Sequence, residues 1–512
     1  MAQTSPPFSS NGQPHIPFYR DGRVLGILAQ IIFVIAVALF FAWIAGNISQ
    51  NMGRLGAFRC ADGSESFGCS FNFLNTQSQF DISESVIEYS ASNTFGRAIL
   101  AGLANTAKVA FFGIILATLL GTFTGIARLS NNWLVSNIAK WYIDIIRNTP
   151  LLLQLFFIYF GVIVTFPRVS EAIQPFGLPV FLSQRGINTP SLVTMPTFST
   201  WAVFLVIGIV AAVAVWFWLG RLERQREQDM NRFRWSFLAF ALLAAVGWLV
   251  ASRALSDQAT LAHPQTGVAE IGALAAQFSP ENPLIICGVQ GDKSEVNLGA
   301  ILRGNEVAWK AQRSTSYNAA ARAFANGECG LLTANRAQLE NTAATVPGSV
   351  LIDLPESPVR LSYPVLEGFN FSGGGRLTPG FAALLIGLVL FTGAFIAEIV
   401  RAGIMSVPKG QSEAARALGL NEAQRLQLVV LPQALRVIIP PLTSQYLNLT
   451  KNSSLAIAVG FPDLWSTSFV TMNQSGQSLP VFLIAMACYL TFSLLISAVL
   501  NWYNQRIALV ER

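Results

Sequence analysis

Charge is what this sequence is short of. Only 12% of its 512 residues are Asp, Glu, Lys or Arg, about half the ~25% of an ordinary soluble chain. With 52% hydrophobic residues and a mean hydropathy of +0.49, that shortage excludes a soluble globular protein. Histidine is nearly missing as well, with only His15 and His263 present. No nucleophile–base constellation can be assembled from them in the apolar regions, so a hydrolase is excluded. Cys60 and Cys69 are closely spaced, but no histidine or second cysteine pair lies near enough to complete a zinc site, and no metal is expected. No GxxxxGK[ST] string occurs, so the chain does not itself hold nucleotide phosphates and needs no cofactor of its own. Residues 1–23 have no apolar core before Val24, which argues against a cleaved signal peptide and for a cytoplasmic tail. The net charge of +6 calls for no nucleic acid, since basic residues on one side of a bilayer account for it.

Long apolar runs are abundant. Those near the ~20 residues that a bilayer requires occupy 24–46, 98–126, 138–164, 201–219, 235–250, 381–400 and 481–503. An eighth, 434–450, carries polar residues and two prolines. The expected fold class is an all-α polytopic membrane protein with about 8 transmembrane helices. Five arginines in GRLERQREQDMNRFR, after the fourth run, assign that loop to the cytoplasm. Alternation then puts both termini inside, and 47–97, 165–200 and 251–380 outside. Cys60, Cys69, Cys287 and Cys329 fall in outside segments, where disulfides persist, and Cys488 lies within a span. The expected pairs are Cys60–Cys69 and Cys287–Cys329, with four unpaired thiols as the alternative.

Residues 411–432, QSEAARALGLNEAQRLQLVVLP, are the most informative stretch. Ser412 is placed to cap a short helix, and Gly419 to end it in the left-handed conformation. Asn421 then caps a second helix, with Gln424 closing a capping box. After the acid Glu413, the small residues Ala414, Ala415 and Ala417 leave a smooth surface, and Pro432 closes the segment. This pattern resembles the EAA loop of ABC importer permeases, the element that docks into the ATPase subunit. Topology places it inside, where an ATPase would be.

The likeness extends further. GLANTAKVAFFGIILATLLGTFTGIARLSNNW and YIDIIRNTPLLLQLFFIYFG resemble the first core helices of polar-amino-acid ABC permeases of the MetI-like fold. FIAEIVRAGI, LPQALRVIIPPLTSQYLNLTKNSSLAIAVG and NWYNQRIALVER resemble the rest of that core. SQNMGRLG, FDISESVIEYSAS and YPVLEGFNFSGG narrow the resemblance to the larger permease subunit of general L-amino-acid transporters. It implies a multi-pass permease of the bacterial inner membrane, belonging to a type I importer of L-amino acids. It also implies an ATPase dimer that binds the ATP, a smaller second permease, and a separate extracytoplasmic binding protein, all in a lipid setting. The sequence alone allows a homodimer instead. The ATPase-coupling residues would be Ser412, Glu413, Ala414, Ala415, Gly419 and Asn421.

The expected segments are 24–96 (first span and outer loop), 97–164 (first part of the core), 165–253 (additional spans), 254–365 (an insert) and 366–512 (second part of the core). In the last, Ser444, Asn448 and Asn452 recur at fours, with Gln445 and Lys451 beside them. Polar groups in a bilayer face a cavity or another helix. The functional reading is a substrate pathway for an amino acid's charged ends, helped by carbonyls that Pro440 and Pro441 set free. Asp144/Arg147 and Glu398/Arg401 are spaced as structural ion pairs.

Within the insert, LIICGVQGDKSEVNLGAIL reads as strand, glycine turn and helix, and TSYNAAARAFANGECGLLTANRAQL as a helix ending in glycine and a strand. This β-α pattern resembles one lobe of the amino-acid-binding proteins that serve such transporters, at Cys287, Gly291, Glu295, Cys329 and Thr333. Asp292 and Asn335 depart from the ligand-holding residues of that family, so the insert is expected not to bind free amino acids by itself. A membrane-anchored amino-acid sensor is the rival reading. It would need a cytoplasmic output domain, and no inside loop is long enough. A secondary transporter would show charged coupling residues in mid-span and no docking loop.

Overall fold

The computed structural model describes residues 22–54, 67–226, 230–254, 258–267, 271, 274, 277–279, 281–290, 292–354, 356–367 and 370–507. In chain order the helices are α1 (Gly22–Arg54), α2 (Phe95–Ala127), α3 (Trp133–Arg147), α4 (Leu151–Phe156), α5 (Phe198–Arg226), α6 (Arg232–Ala254), α7 (Lys293–Gly304), α8 (Tyr317–Ala325) and α9 (Arg336–Ala343). After these come α10 (Pro379–Met405), α11 (Lys409–Ala417), α12 (Glu422–Arg425), α13 (Leu431–Asn452), α14 (Leu464–Ser475) and α15 (Ser478–Ile507). Among the described residues seven helical stretches are long and apolar enough to cross a membrane, and an eighth forms if α3 and 151–163 count as one broken span.

That break corrects the single span expected over 138–164. Asn148 closes α3, and Pro150, which has no N–H and disfavours helix in the residue before it, sits ahead of α4.

The chain divides into two compact units, Met1–Thr149 with Leu388–Arg512, and Pro150–Gly387. In the first, polar caps start the helices: Thr94 accepts from Arg97 N, and Asn132 from Leu134 N and Val135 N. The packing is set by missing side chains. A Cβ on Gly121 would lie 2.6 Å from Ile396, and one on Gly125 would lie 2.6 Å from the Ala397 carbonyl. Two glycines four apart therefore let α2 and α10 touch backbone to backbone, which is how helices associate where lipid removes the hydrophobic drive. Tyr142 Oη donates to the Leu390 carbonyl at 2.7 Å and ties α3 to the same helix.

The second unit holds the insert. Its five-stranded sheet has the order β6 (Trp309–Ser314), β5 (Leu284–Val289), β7 (Leu331–Asn335), β4 (Gln258–Ala262), β8 (Val350–Asp353). β5 runs parallel to β6 and β7, and β4 antiparallel to β7 and β8. Side chains alternate between the faces of a strand, and the cores follow. Leu261, Cys287 and Leu332 pack with Ala320, Phe324 and Leu339 of α8 and α9. Ala262, Ile286 and Leu331 pack with Leu298 and Leu302 of α7. The insert is thus a three-layer α/β domain, as its pattern implies.

Strands outside the insert also join this unit. β1 (Phe181–Ser183), β2 (Gly186–Thr189) and β3 (Ser191–Thr194) precede it, and β9 (Val359–Ser362), β10 (Val365–Glu367), β11 (Asn370–Ser372) and β12 (Gly375–Leu377) follow. β2 pairs with β1 and β12, β3 with β9, and β10 with β11, all antiparallel. The segment taken as additional spans, 165–253, therefore carries strands as well as the α5–α6 hairpin. That hairpin closes through Trp201 Nε1 donating to the Ala244 carbonyl and through the Trp201–Trp248 ring pair at 5.2 Å.

Candidate functional site

The turn between α11 and α12 is closed from both sides. Gly419 has φ +77°, its N–H donates to the Arg416 carbonyl at 2.9 Å, and Leu420 N–H donates to the Ala415 carbonyl at 3.2 Å. These two bonds make a Schellman ending, which satisfies the last carbonyls of α11. Asn421 Oδ1 accepts from Gln424 N, and Gln424 Oε1 accepts from Asn421 N, completing the capping box. Glu422 then pins the two helices together. It accepts from Arg416 Nη2 at 3.0 Å and from Arg425 Nε at 3.1 Å.

Ser412 departs from expectation. Helix α11 begins at Lys409 behind Pro408, so Ser412 lies inside it, and its Oγ accepts from Arg425 Nη1 at 2.9 Å. The proline supplies the helix start that was assigned to the serine. Ala415 is buried under the turn, whereas Glu413 and Ala414 are exposed. The sequence reading passed over Leu418, which stands 82% exposed at the tip. Its place immediately before the left-handed glycine was the signal.

From Arg425 the chain continues through a wide helical turn, 426–430, into α13 without a break. Helix α13 has two unlike faces. On one, Ala434, Ile438, Ile439, Leu449 and Thr450 are buried, and Tyr446 Oη meets Thr118 Oγ1 at 2.8 Å. On the other, Ser444, Asn448 and Lys451 are exposed, with Gln445 and Asn452 half-buried beside them. None of these five side chains has a hydrogen bond to another described residue. Pro440 and Pro441 interrupt the same helix and release the carbonyls of Arg436 and Val437 from their usual donors. A row of unpaired amides, a hydroxyl and an ammonium can receive both charged ends of a zwitterion.

A buried polar cluster lies beyond α13 that the sequence reading missed. Asp463 is fully buried and caps α14, accepting from Ser466 N at 2.8 Å and from Tyr489 Oη at 3.0 Å. Burial pushes its carboxyl up to about 6, against the usual 3.8. Asn105 and Thr106 of α2 close the same junction, donating to the Pro462 carbonyl and accepting from Leu464 N. Proline followed by Asp ahead of an apolar run was the cap signal.

Of the two expected ion pairs, Glu398–Arg401 forms, with Arg401 Nε donating to Glu398 at 3.0 Å. Asp144–Arg147 does not. Arg147 instead lies over the Phe395 ring at 5.1 Å and Asp144 is exposed, because a guanidinium loses less water against an aromatic face.

In the insert, Cys287 and Cys329 are disulfide-bonded, with Cα atoms 5.8 Å apart. Cys69 is also disulfide-bonded, but Cys60, its expected partner, lies outside the described residues, as does Gly291. Asp292 caps α7 by accepting from Ser294 N at 2.9 Å. Asn335 sits at the start of α9 without capping it, and Thr333 is buried.

Comparison with known proteins adds to this geometry. The family model for the binding-protein-dependent transport system inner membrane component matches residues 350–509. The general L-amino acid transport system permease protein AapQ of Rhizobium johnstonii is 33% identical over 494 residues, 96% of this chain and 94% of that protein. The glutamate/glutamine/aspartate/asparagine transport system permease protein BztB of Rhodobacter capsulatus is 33% identical over 96% of each chain. The glutamate/aspartate import permease protein GltJ of Escherichia coli is 36% identical over 129 residues, 25% of this chain and 52% of that protein.

Proposed function

The chain belongs to the amino-acid ABC transporter permeases, multi-pass inner membrane proteins, and on that premise we propose that it is the larger permease subunit of an ATP-driven L-amino-acid importer. Its partners in this reading are a smaller second permease, a dimeric ATPase that alone hydrolyses ATP, and a separate binding protein. The termini and the α11–α12 turn face the cytoplasm, and the insert faces outward. The observation that carries the reading is a locked turn joined directly to a helical run, 422–459, that bears an unpaired polar face. Ser412, Glu413, Ala414, Ala415, Gly419 and Asn421 form the docking wedge, with Leu418 as its apolar tip. Ser444, Gln445, Asn448, Lys451 and Asn452 line the path of the amino acid.

The mechanism needs little slack. Closure of the ATPase pair on ATP moves the wedge, and the wide turn at 426–430 passes that motion to α13 instead of absorbing it. Alternate exposure of the polar face follows, with Lys451 attracting a carboxylate and the amides holding the ammonium. One chain brings one wedge, so a second permease must supply the other.

The test is co-expression with an ATPase and a second permease in proteoliposomes, with uptake of labelled amino acids. Gly419→Asp should insert normally yet abolish ATP-driven uptake, since an L-residue at positive φ costs about 1–2 kcal/mol and the added charge must be desolvated in the docking groove. Leu418→Cys should cross-link to the ATPase. Full uptake by Gly419→Asp, or a Leu418→Cys variant that never cross-links to the ATPase, would remove the coupling assignment.

A further inference from the structure

The strands flanking the insert enclose a cavity of about 810 Å³ against one side of α7, wholly within the second unit. That is the scale of a small-molecule site, ~300–1,000 Å³. Its walls are electrostatically one-sided. Arg185, Lys293, Arg303, Arg313 and Arg376 line it, against Asp292 and Glu295. Both carboxylates are engaged. Glu295 takes a two-pronged contact from Arg313 Nε and Nη2 at 2.6–3.0 Å, and Asp292 is committed to capping α7. The cations are in excess.

Two of them are poised for an acceptor. The Arg303 guanidinium lies over the Tyr363 ring at 4.3 Å and makes no hydrogen bond to a described residue. Arg376 spends only Nε, on the Arg185 carbonyl at 3.1 Å, which leaves its Nη groups open. A third observation is independent of charge. Asn188 on β2 lines the cavity at 5% exposure, and its amide has no hydrogen-bond partner among the described residues. Buried amides are normally satisfied, so an open one on a cavity wall marks a place for a ligand. The start of α7 cannot be the attractive element, because Asp292 occupies it. Arg303, Arg376 and Asn188 are, and two of these three come from strands outside the insert.

We propose that this cavity binds a small organic dicarboxylate. Planar guanidiniums match carboxylates edge to edge, which a spherical anion cannot exploit equally. Arg303 and Arg376 hold the two carboxylates, the Asn188 amide completes the contacts, and Trp309 and Tyr363 cover the carbons between. The site is separate from the transport path and does not rest on the importer reading.

Calorimetry on the purified full chain in phosphatidylcholine nanodiscs tests it, with succinate, acetate and inorganic phosphate as titrants. Succinate should bind saturably and more tightly than acetate or phosphate. Arg303→Gln and Arg376→Gln should each weaken it by about tenfold, Arg303→Lys by less, and Asn188→Ala measurably, all with unchanged melting temperature. Absence of saturable succinate binding would overturn the proposal, as would binding indifferent to both glutamine variants. Tighter binding of phosphate than of succinate would overturn the carboxylate assignment.

Discussion

In the first unit α2 meets α10 through Gly121 and Gly125, and α10 meets α13 at Gly403, where a Cβ would lie 2.3 Å from Ile438. In the second, the inserted sheet is covered on both faces by leucine, alanine and phenylalanine and stapled by Cys287–Cys329. The first region is held by shape and the second by burial and a covalent bond. Lipid is as apolar as a helix surface, so only close approach distinguishes the right neighbour there. Water rewards burial itself, and a domain as small as the insert gains from a cross-link.

Four measurements can break or sharpen that contrast. Cys287→Ser with Cys329→Ser opens a loop of 42 residues and should cost the insert about 4 kcal/mol. Hydrogen exchange should then rise across 284–335 and leave α2 and α10 unchanged; simultaneous loosening of both would erase the contrast.

Next comes pH. Burial gives the Asp463 carboxyl a higher pKa in the folded chain than in the unfolded one, about 6 against 3.8. The folded state therefore holds this proton more tightly, and the contribution of Asp463 to stability is fully present below pH ~4 and is lost as pH rises through ~6, by about 3 kcal/mol at most. Asp463→Asn keeps a capping oxygen, so thermal unfolding of this variant should lose that slope. A slope that persists in it would point to another group.

Gly121→Ala puts a methyl where Ile396 already sits, and overpacking of this kind should cost about 2 kcal/mol, read as a lower melting temperature with the disulfide intact. The same substitution at Gly267 in the insert, which has φ +62° but nothing within 4 Å, should act through backbone strain alone. The smallest effect is expected at Asn421→Ala, about 1 kcal/mol from the lost cap. Uptake should fall more than the melting temperature, since the turn must be stiff to transmit force.

Much of this molecule was legible without coordinates because helices are local objects. Each apolar run became helical close to where it was expected, since caps and hydrogen bonds lie within one turn. The Gly419 ending and the Asn421 capping box were readable for the same reason. Where local chemistry offered two solutions the reading slipped: Pro408 and not Ser412 starts α11, and Pro150 divides a run that composition alone joins.

The tertiary structure decided what depends on partners far away in sequence. β2 pairs with β12 across the whole insert, Gly186–Thr189 against Gly375–Leu377, and no local pattern announces that. This pairing sets Arg376 opposite Asn188 on the wall of the cavity that Arg303 of α7 also lines. Likewise, composition showed that α13 is polar, but only the fold showed which face packs and which is left unsatisfied. Sequence determines where backbone hydrogen bonds close locally. Which surfaces remain open depends on the long-range contacts that bury the rest.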